Sequence, residues 1–200
     1  MNRDAFFLAR TMKEILHANK KSLIFLTGFM GSGKSTIGPI LANTLGYEYV
    51  DVDQFIEQKT QKEIVEIFRT EGEKAFRLLE RDILHELTKL DHSVISLGGG
   101  TIANDENCQI VSQNGILIYL KLSPEEILQR VQYRSDRPML KDADGNPLQA
   151  QELEKRILEL LSSREPFYSR ADVIIRADNM RIGVTVDEII KSIRSIIDKE

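Results

Sequence analysis

The chain has 200 residues, the length of one domain of ordinary size. Hydrophobic residues make up 42% of it, enough for a sizeable core and too many for a wholly disordered chain. A net charge of −4 argues against a generic nucleic-acid-coating protein, which is basic overall, and leaves room for a local basic pocket that binds a small anion. The single cysteine, Cys108, has no partner for an internal disulfide and cannot build a Cys-based zinc site. No apolar run approaches the roughly 20 residues that span a bilayer. The stretch Ala5–Ala9 is too short for a signal-peptide core. A soluble protein in a reducing, cytoplasmic setting is expected, with neither a nucleic acid nor a membrane as partner.

In chain order, residues 1–20 read as a polar N-terminal extension with a weak amphipathic pattern of Leu8, Met12, Ile15 and Leu16. Residues 21–200 read as one domain. Leu23–Thr27 is a predicted strand, and a helix runs from after Gly33 to about Leu45, closed by Gly46. Tyr47–Val52 is the second strand. Thr60-Gln61-Lys62-Glu63 reads as a capping box before Ile64, Val65, Ile67 and Phe68. Thr70-Glu71-Gly72-Glu73 reads as another, opening a helix with Phe76, Leu79, Ile83, Leu87 and Leu90 on one face. Ser93–Leu97 is the third strand and Ile116–Leu122 the fourth. Ser123-Pro124-Glu125-Glu126 then caps a helix with proline at its first position. Residues 133–150 are polar and turn-rich, the pattern of a mobile loop. Asp172–Arg176 is the fifth strand, and Val186, Ile189, Ile190, Ile193, Ile196 and Ile197 mark a last amphipathic helix. Strands alternating with helices predict an α/β protein, a five-stranded parallel sheet covered on both faces in three α/β/α layers.

The strongest chemical signal is Gly28-Phe29-Met30-Gly31-Ser32-Gly33-Lys34-Ser35-Thr36, a complete G-x-x-x-x-G-K-S/T motif between a strand and a helix. Glycines let successive backbone N–H groups converge on phosphate oxygens, and the helix N-terminus adds partial positive charge. Lys34 reaches the β- and γ-phosphates, and Ser35 offers a hydroxyl to Mg²⁺. The alternative is a glycine-rich turn that binds nothing.

The second strand ends in two carboxylates, Asp51 and Asp53. Period-two alternation predicts both on one side of the strand, at the sheet end that faces the ligand crevice. One can hold Mg²⁺ through water, and the other can orient or deprotonate an acceptor hydroxyl. The alternative for Asp53 is a helix cap. The third strand ends without an acid in Gly98-Gly99-Gly100, where a ligand can approach the backbone closely. That absence puts weight on Asp51 as the metal's acidic partner. His17, His85 and His92 show no metal spacing, and Asp142-Ala143-Asp144-Gly145 lacks the later glutamate of a calcium loop.

Over roughly residues 22–180 the chain resembles the shikimate kinases, a branch of the P-loop small-molecule kinases. The resemblance rests on the ordered set Gly28–Gly38, Asp51-Val52-Asp53 with Ile56-Glu57, Ile64 to Phe68, Glu71-Gly72-Glu73, Phe76-Arg77 and Leu97–Gly100. Arg137-Pro138-Met139-Leu140 and Arg164-Glu165-Pro166-Phe167-Tyr168 complete it. It implies a nucleoside monophosphate kinase-like architecture with a lid at about 133–150. It also implies phosphate transfer from ATP to the 3-hydroxyl of shikimate, a step of aromatic amino-acid biosynthesis. By motif position, Gly31, Ser32, Gly33, Lys34, Ser35 and Thr36 would cradle ATP, with Arg130 stacking on adenine and the lid's Arg137 meeting the phosphates. Lys34, Asp53 and Arg137 would be the catalytic set. Asp53, Arg77, Gly99, Gly100 and Arg164 would bind shikimate, and Ser35 and Asp51 would serve Mg²⁺. The chain departs from the family in residues 1–20 and in a long interval between Arg137 and Arg164. A monomer is expected, with a homodimer as the alternative assembly.

The substrate's chemistry agrees with this set. A carboxylate calls for guanidinium forks, and ring hydroxyls call for a carboxylate and backbone groups. Two other functions fit parts of the pattern: a kinase for another hydroxy acid such as gluconate, and a non-catalytic shikimate-binding regulatory module. The first would not be expected to share the acid pair with Arg77, the triple glycine and Arg164. The second would be expected to lose Lys34, Ser35 or Asp53, and all three are present.

Overall fold

The computed structural model describes residues 22–131, 140, 148–178 and 180–197. The N-terminal extension, most of the predicted lid and Arg137 lie outside the described residues. Five strands form one sheet in the order β2-β3-β1-β4-β5, and every neighbouring pair is parallel. They are β1 (Leu23–Thr27), β2 (Glu48–Asp51), β3 (Ser93–Ser96), β4 (Gly115–Lys121) and β5 (Val173–Arg176). Each lies within a residue or two of its predicted span. The central strand β1 is buried along its whole length, as a strand covered on both faces must be.

The alternation of β1 builds two cores. Leu23 and Phe25 point to one face, where they join Ile83, Ile95, Leu117, Tyr119 and Tyr168. Ile24 and Leu26 point to the other, where they join Ile37, Leu41, Val94, Ile118, Ile189 and Ile193. The second core is roofed by α1 (Lys34–Leu45) and the C-terminal α8 (Ile182–Ile197), which together cover one face of the sheet. The intervening helices belong to the opposite layer: α2 (Val52–Thr60), α3 (Ile64–Thr70), α4 (Gly72–Leu87), α5 (Asp105–Asn114), α6 (Pro124–Val131) and α7 (Ala150–Tyr168). The predicted three layers are therefore present. Burying one Leu, Ile or Phe side chain contributes about 1.5–3 kcal/mol, so these two continuous cores, rather than surface ion pairs, hold the layers together.

Local signals behaved unevenly. Gly46 closes α1 in the left-handed conformation, as expected. Ser123 caps α6 by accepting from the Glu126 N–H at 3.2 Å. The two threonine capping boxes do not form. Thr60 and Thr70 are the last residues of α2 and α3, and their hydroxyls donate back to the Ile56 and Glu66 carbonyls. The start of α3 is satisfied instead by Glu57, whose carboxylate accepts from the Ile64 N–H at 3.0 Å.

The chain leaves β1 through α1 towards β2 on one side, and leaves the neighbouring β3 through α5 towards β4 on the other, so the connections diverge at the C-terminal ends of β1 and β3. Such a switch point opens a crevice above the strand ends, where open α/β sheets bind ligands.

Candidate active site

A cleft of about 1000 Å³ occupies that crevice. One end is the phosphate loop. Phe29 is buried in the core and anchors the loop from below. Gly31 and Gly33 take φ of 82° and 96°, values that favour glycine, and so wrap the backbone tightly into α1. Gly33 caps α1 without a side chain, and the first turn carries no acid that would compete with an anion. The Lys34 ammonium lies inside the loop and donates to the Gly28 carbonyl at 2.6 Å and the Phe29 carbonyl at 3.3 Å. Arg130, reaching in from α6, donates to the Gly31 carbonyl at 3.1 Å and is held by Glu126 at 2.8 Å.

The other end is built around the turn after β3. The position a Cβ would take on Gly98 is 2.9 Å from Asp53 Oδ1, and on Gly100 it is 2.7 Å from Arg77 Nη2. On Gly99 it is 3.4 Å from Arg164 Nη1. The triple glycine is thus the floor on which one carboxylate and two guanidinium groups converge. A side chain on Gly98 or Gly100 would push Asp53 or Arg77 away, and one on Gly99 would stand in contact with Arg164.

Each of these groups has its own support. Arg77 donates to the buried Glu80 at 2.8 Å and to Glu73 at 3.1 Å. These carboxylates raise its already high pKa despite burial, which works the other way. Glu80 in turn accepts from the Thr101 hydroxyl. Arg164 is 7% exposed, and its guanidinium stands 5.8 Å above the Phe29 ring centre, so the phosphate loop and the glycine-floored end share a wall. The Tyr168 hydroxyl donates to the Gly99 carbonyl. Burial pushes that hydroxyl up to about 12, against an opposing pull from the Arg164 guanidinium. Ile64, Val65, Phe68 and Phe76 line an apolar side of the cleft.

Asp53 reaches the cleft by a route that differs from the strand-alternation argument. Strand β2 stops at Asp51, whose carboxylate caps α2 by accepting from the N–H groups of Asp53 at 3.0 Å and Gln54 at 3.3 Å. Asp53 therefore projects from the first turn of a helix, and it is Asp51 rather than Asp53 that caps it. The second carboxylate oxygen of Asp51 accepts from the Tyr49 hydroxyl at 3.3 Å. That phenol is pushed up to about 12, mainly by burial and further by Asp51, with the Ser96 hydroxyl working against them.

Three comparisons identify this arrangement. A family model described as shikimate kinase matches residues 30–194. The shikimate kinase of Chlorobaculum tepidum is 49% identical over 172 residues, covering 86% of this chain and 90% of its own length. The chain belongs to the shikimate kinase family. Among solved structures, shikimate kinase from Bacteroides thetaiotaomicron superposes with a TM-score of 0.77 at 32% identity, over 88% of this chain and 98% of that one. Shikimate kinase from Acinetobacter baumannii in complex with shikimate gives a TM-score of 0.75 at 34% identity, over 92% and 98%. A gluconokinase from Sinorhizobium meliloti shares the fold, with a TM-score of 0.59 at 16% identity over 90% of this chain and 95% of that one. The expected P-loop kinase fold and family are therefore found.

Of the residues the sequence nominated in this family member, Gly31, Gly33, Lys34, Ser35, Thr36, Asp51, Asp53, Arg77, Gly99, Gly100, Arg130 and Arg164 all line the one cleft. Ser32 does not; it is buried beneath the loop with its hydroxyl 3.5 Å from the Lys34 ammonium. Glu80 and Thr101 escaped notice. Glu80 follows Arg77 by three residues, a spacing that places the two together on a helix, and that was the available signal.

The chemistry of the Ser35 and Asp51 donors fits Mg²⁺, which takes one or two protein oxygens and completes its shell with phosphate oxygens and water. Among the described residues no group of three or more His, Cys, Asp or Glu side chains forms a cage for a protein-held metal. Among the described residues, likewise, no helix is long and apolar enough to cross a membrane.

Proposed function

We propose that the protein transfers the γ-phosphoryl group of ATP to the 3-hydroxyl of shikimate, giving shikimate 3-phosphate and ADP. The observation that carries this reading is the meeting of Asp53, Arg77 and Arg164 on the Gly98–Gly100 floor, in the cleft that also contains the Lys34 loop. A triphosphate tail and a small hydroxylated acid then lie end to end.

The residues divide the work. Arg77 and Arg164 bind the carboxylate as charge-assisted forks, and Glu80 and Glu73 hold the Arg77 guanidinium in place. Asp53 accepts a hydrogen bond from the 3-hydroxyl and takes its proton as the O–P bond forms and the bond from Pγ to the β-phosphate oxygen breaks. Lys34 exchanges the loop carbonyls for β- and γ-phosphate oxygens, and the loop amides neutralise the charge that leaves with ADP. Ser35 and Asp51 would hold Mg²⁺, which supplies further charge neutralisation across the phosphates when bound. Arg130 closes the nucleotide end beside Gly31. Arg137 is assigned to the phosphates on its motif alone. A cytoplasmic setting suits a chain with one cysteine that is buried.

A coupled ADP-release assay over shikimate, quinate, gluconate and nucleoside monophosphates tests the proposal. ADP release with shikimate and none above background with gluconate or nucleotides is expected. Turnover of gluconate at a comparable kcat/KM would overturn it.

A further inference from the structure

We infer that Tyr168, a residue with no place among the cleft-lining groups, is a positioning residue that fixes the Gly99–Gly100 peptide so that the Gly100 N–H is aimed at the substrate's carboxylate. The inference rests on the reading of the cleft as a shikimate site.

The geometry is as follows. Tyr168 ends α7, four residues after Arg164, and is fully buried. Its ring packs on Tyr119 with centroids 5.0 Å apart, so the phenol has one fixed position. From the core side the hydroxyl donates to the Gly99 carbonyl, and it also accepts from the Arg164 guanidinium. In a trans peptide the carbonyl oxygen of one residue and the N–H of the next point in opposite directions. Holding the Gly99 oxygen on the Tyr168 side therefore turns the Gly100 N–H towards the cleft that Gly100 lines. The neighbouring Thr101 and Ala103 amides are used within the turn, donating to the Gly98 and Gly100 carbonyls at 3.1 Å each.

Such a hold is needed here. A peptide between two glycines has no Cβ to resist rotation, so its plane is set by what its oxygen bonds. The Arg77 guanidinium sits against Gly100 and the Arg164 guanidinium against Gly99, so an acid gripped by both has its carboxylate beside this amide. Tyr168 is also the point where the two supports meet, because its helix carries Arg164. The high pKa of the phenol keeps it a donor throughout the neutral range.

The test compares Tyr168→Phe with Tyr119→Phe, each of which removes one core hydroxyl and leaves its ring. Shikimate and ATP dissociation constants are measured by calorimetry on the full chain, together with melting temperatures. Tyr168→Phe is expected to weaken shikimate about tenfold, the loss of one hydrogen bond to a charged group, and to leave ATP within about twofold. Tyr119→Phe is expected to leave both within about twofold. Unchanged shikimate affinity in Tyr168→Phe, or an equal loss in Tyr119→Phe, overturns the inference, the latter because the effect is then general packing. A second measurement needs no variant: the Gly100 amide proton of the wild-type protein should shift downfield when shikimate is added, and a static resonance under saturating shikimate overturns the inference as well. Wild-type protein that fails to bind shikimate at all would instead remove the substrate reading beneath it.

Discussion

Replacing Gly100 with alanine adds one methyl group at a site where the backbone is not in the left-handed region, so the chain itself tolerates the change. The methyl carbon would stand 2.7 Å from Arg77 Nη2, 2.8 Å from Nη1 and 3.0 Å from Cζ. A carbon cannot sit that close to a planar guanidinium, and the side chain must swing away. The swing works against Glu80 at 2.8 Å and Glu73 at 3.1 Å, which hold the same two nitrogens. It removes one fork from the substrate's carboxylate. A hydrogen bond to a charged group contributes about 1.5–3 kcal/mol, so the shikimate KM should rise roughly 10- to 150-fold. The KM for ATP should stay within about twofold, because the phosphate loop is untouched. Gly99→Ala gives an internal comparison: its methyl would meet Arg164 Nη1 only at 3.4 Å, so a smaller rise is expected. Both follow from initial rates in a coupled ADP-release assay with shikimate varied at saturating ATP. An unchanged shikimate KM in Gly100→Ala, or an equal rise in the KM for ATP, would refute the carboxylate assignment.

Asp53→Asn keeps the side chain's size and removes its proton acceptor; kcat should fall roughly 100-fold or more while ATP binding by calorimetry persists, and near-normal turnover would take Asp53 out of the mechanism. Gly38→Ala places a methyl 2.3 Å from the Tyr49 ring, where α1 crosses β2. Overpacking of this kind costs about 1–3 kcal/mol, and an unchanged urea midpoint would contradict the close approach. Alkaline stability follows from Tyr168, held up to about 12 by burial against an ordinary value of 10.0. The folded state keeps that proton more tightly, so its stabilising share is complete below pH 10 and is lost as pH rises towards 12. The loss is about 1.4 kcal/mol per pH unit for such a group. Urea unfolding at several pH values in this window should show a shallower decline in Tyr168→Phe, and parallel declines would contradict the assignment.

Strands β1, β3 and β4 were legible because each carries Val, Ile, Leu or Phe in succession, as burial on two faces demands, whereas the edge strands β2 and β5 are partly exposed and rest on shorter apolar segments. Boundaries were less so. The acid-rich end of β2 reads as continued alternation, yet Asp51 is a better helix cap than a strand residue, and α2 begins one position later. Thr60 and Thr70 carry the pattern of caps, but each lies at the end of a helix already formed, where a threonine hydroxyl bonds its own preceding turn. The helix Asp105–Asn114 was not marked as an element, because its residues are mostly polar and its apolar face is narrow. The shape of the phosphate loop was legible, since contiguous residues build it between β1 and α1. The acid-binding end was legible only as separate motifs. What joins them, the Thr101 bond to Glu80 and the Tyr168 hold on Gly99, depends on residues brought together across 21 and 69 positions of chain, and no local pattern encodes those contacts.

The central claim is that one crevice seats a triphosphate beside a small hydroxylated acid, with two guanidinium groups and one aspartate on the acid. A crystal structure with shikimate and ADP bound together tests it most directly. The account predicts the carboxylate between Arg77 and Arg164, the 3-hydroxyl on Asp53 and the ADP β-phosphate in the loop around Lys34. Shikimate density away from the Gly98–Gly100 floor, or a carboxylate touching neither arginine, would contradict it.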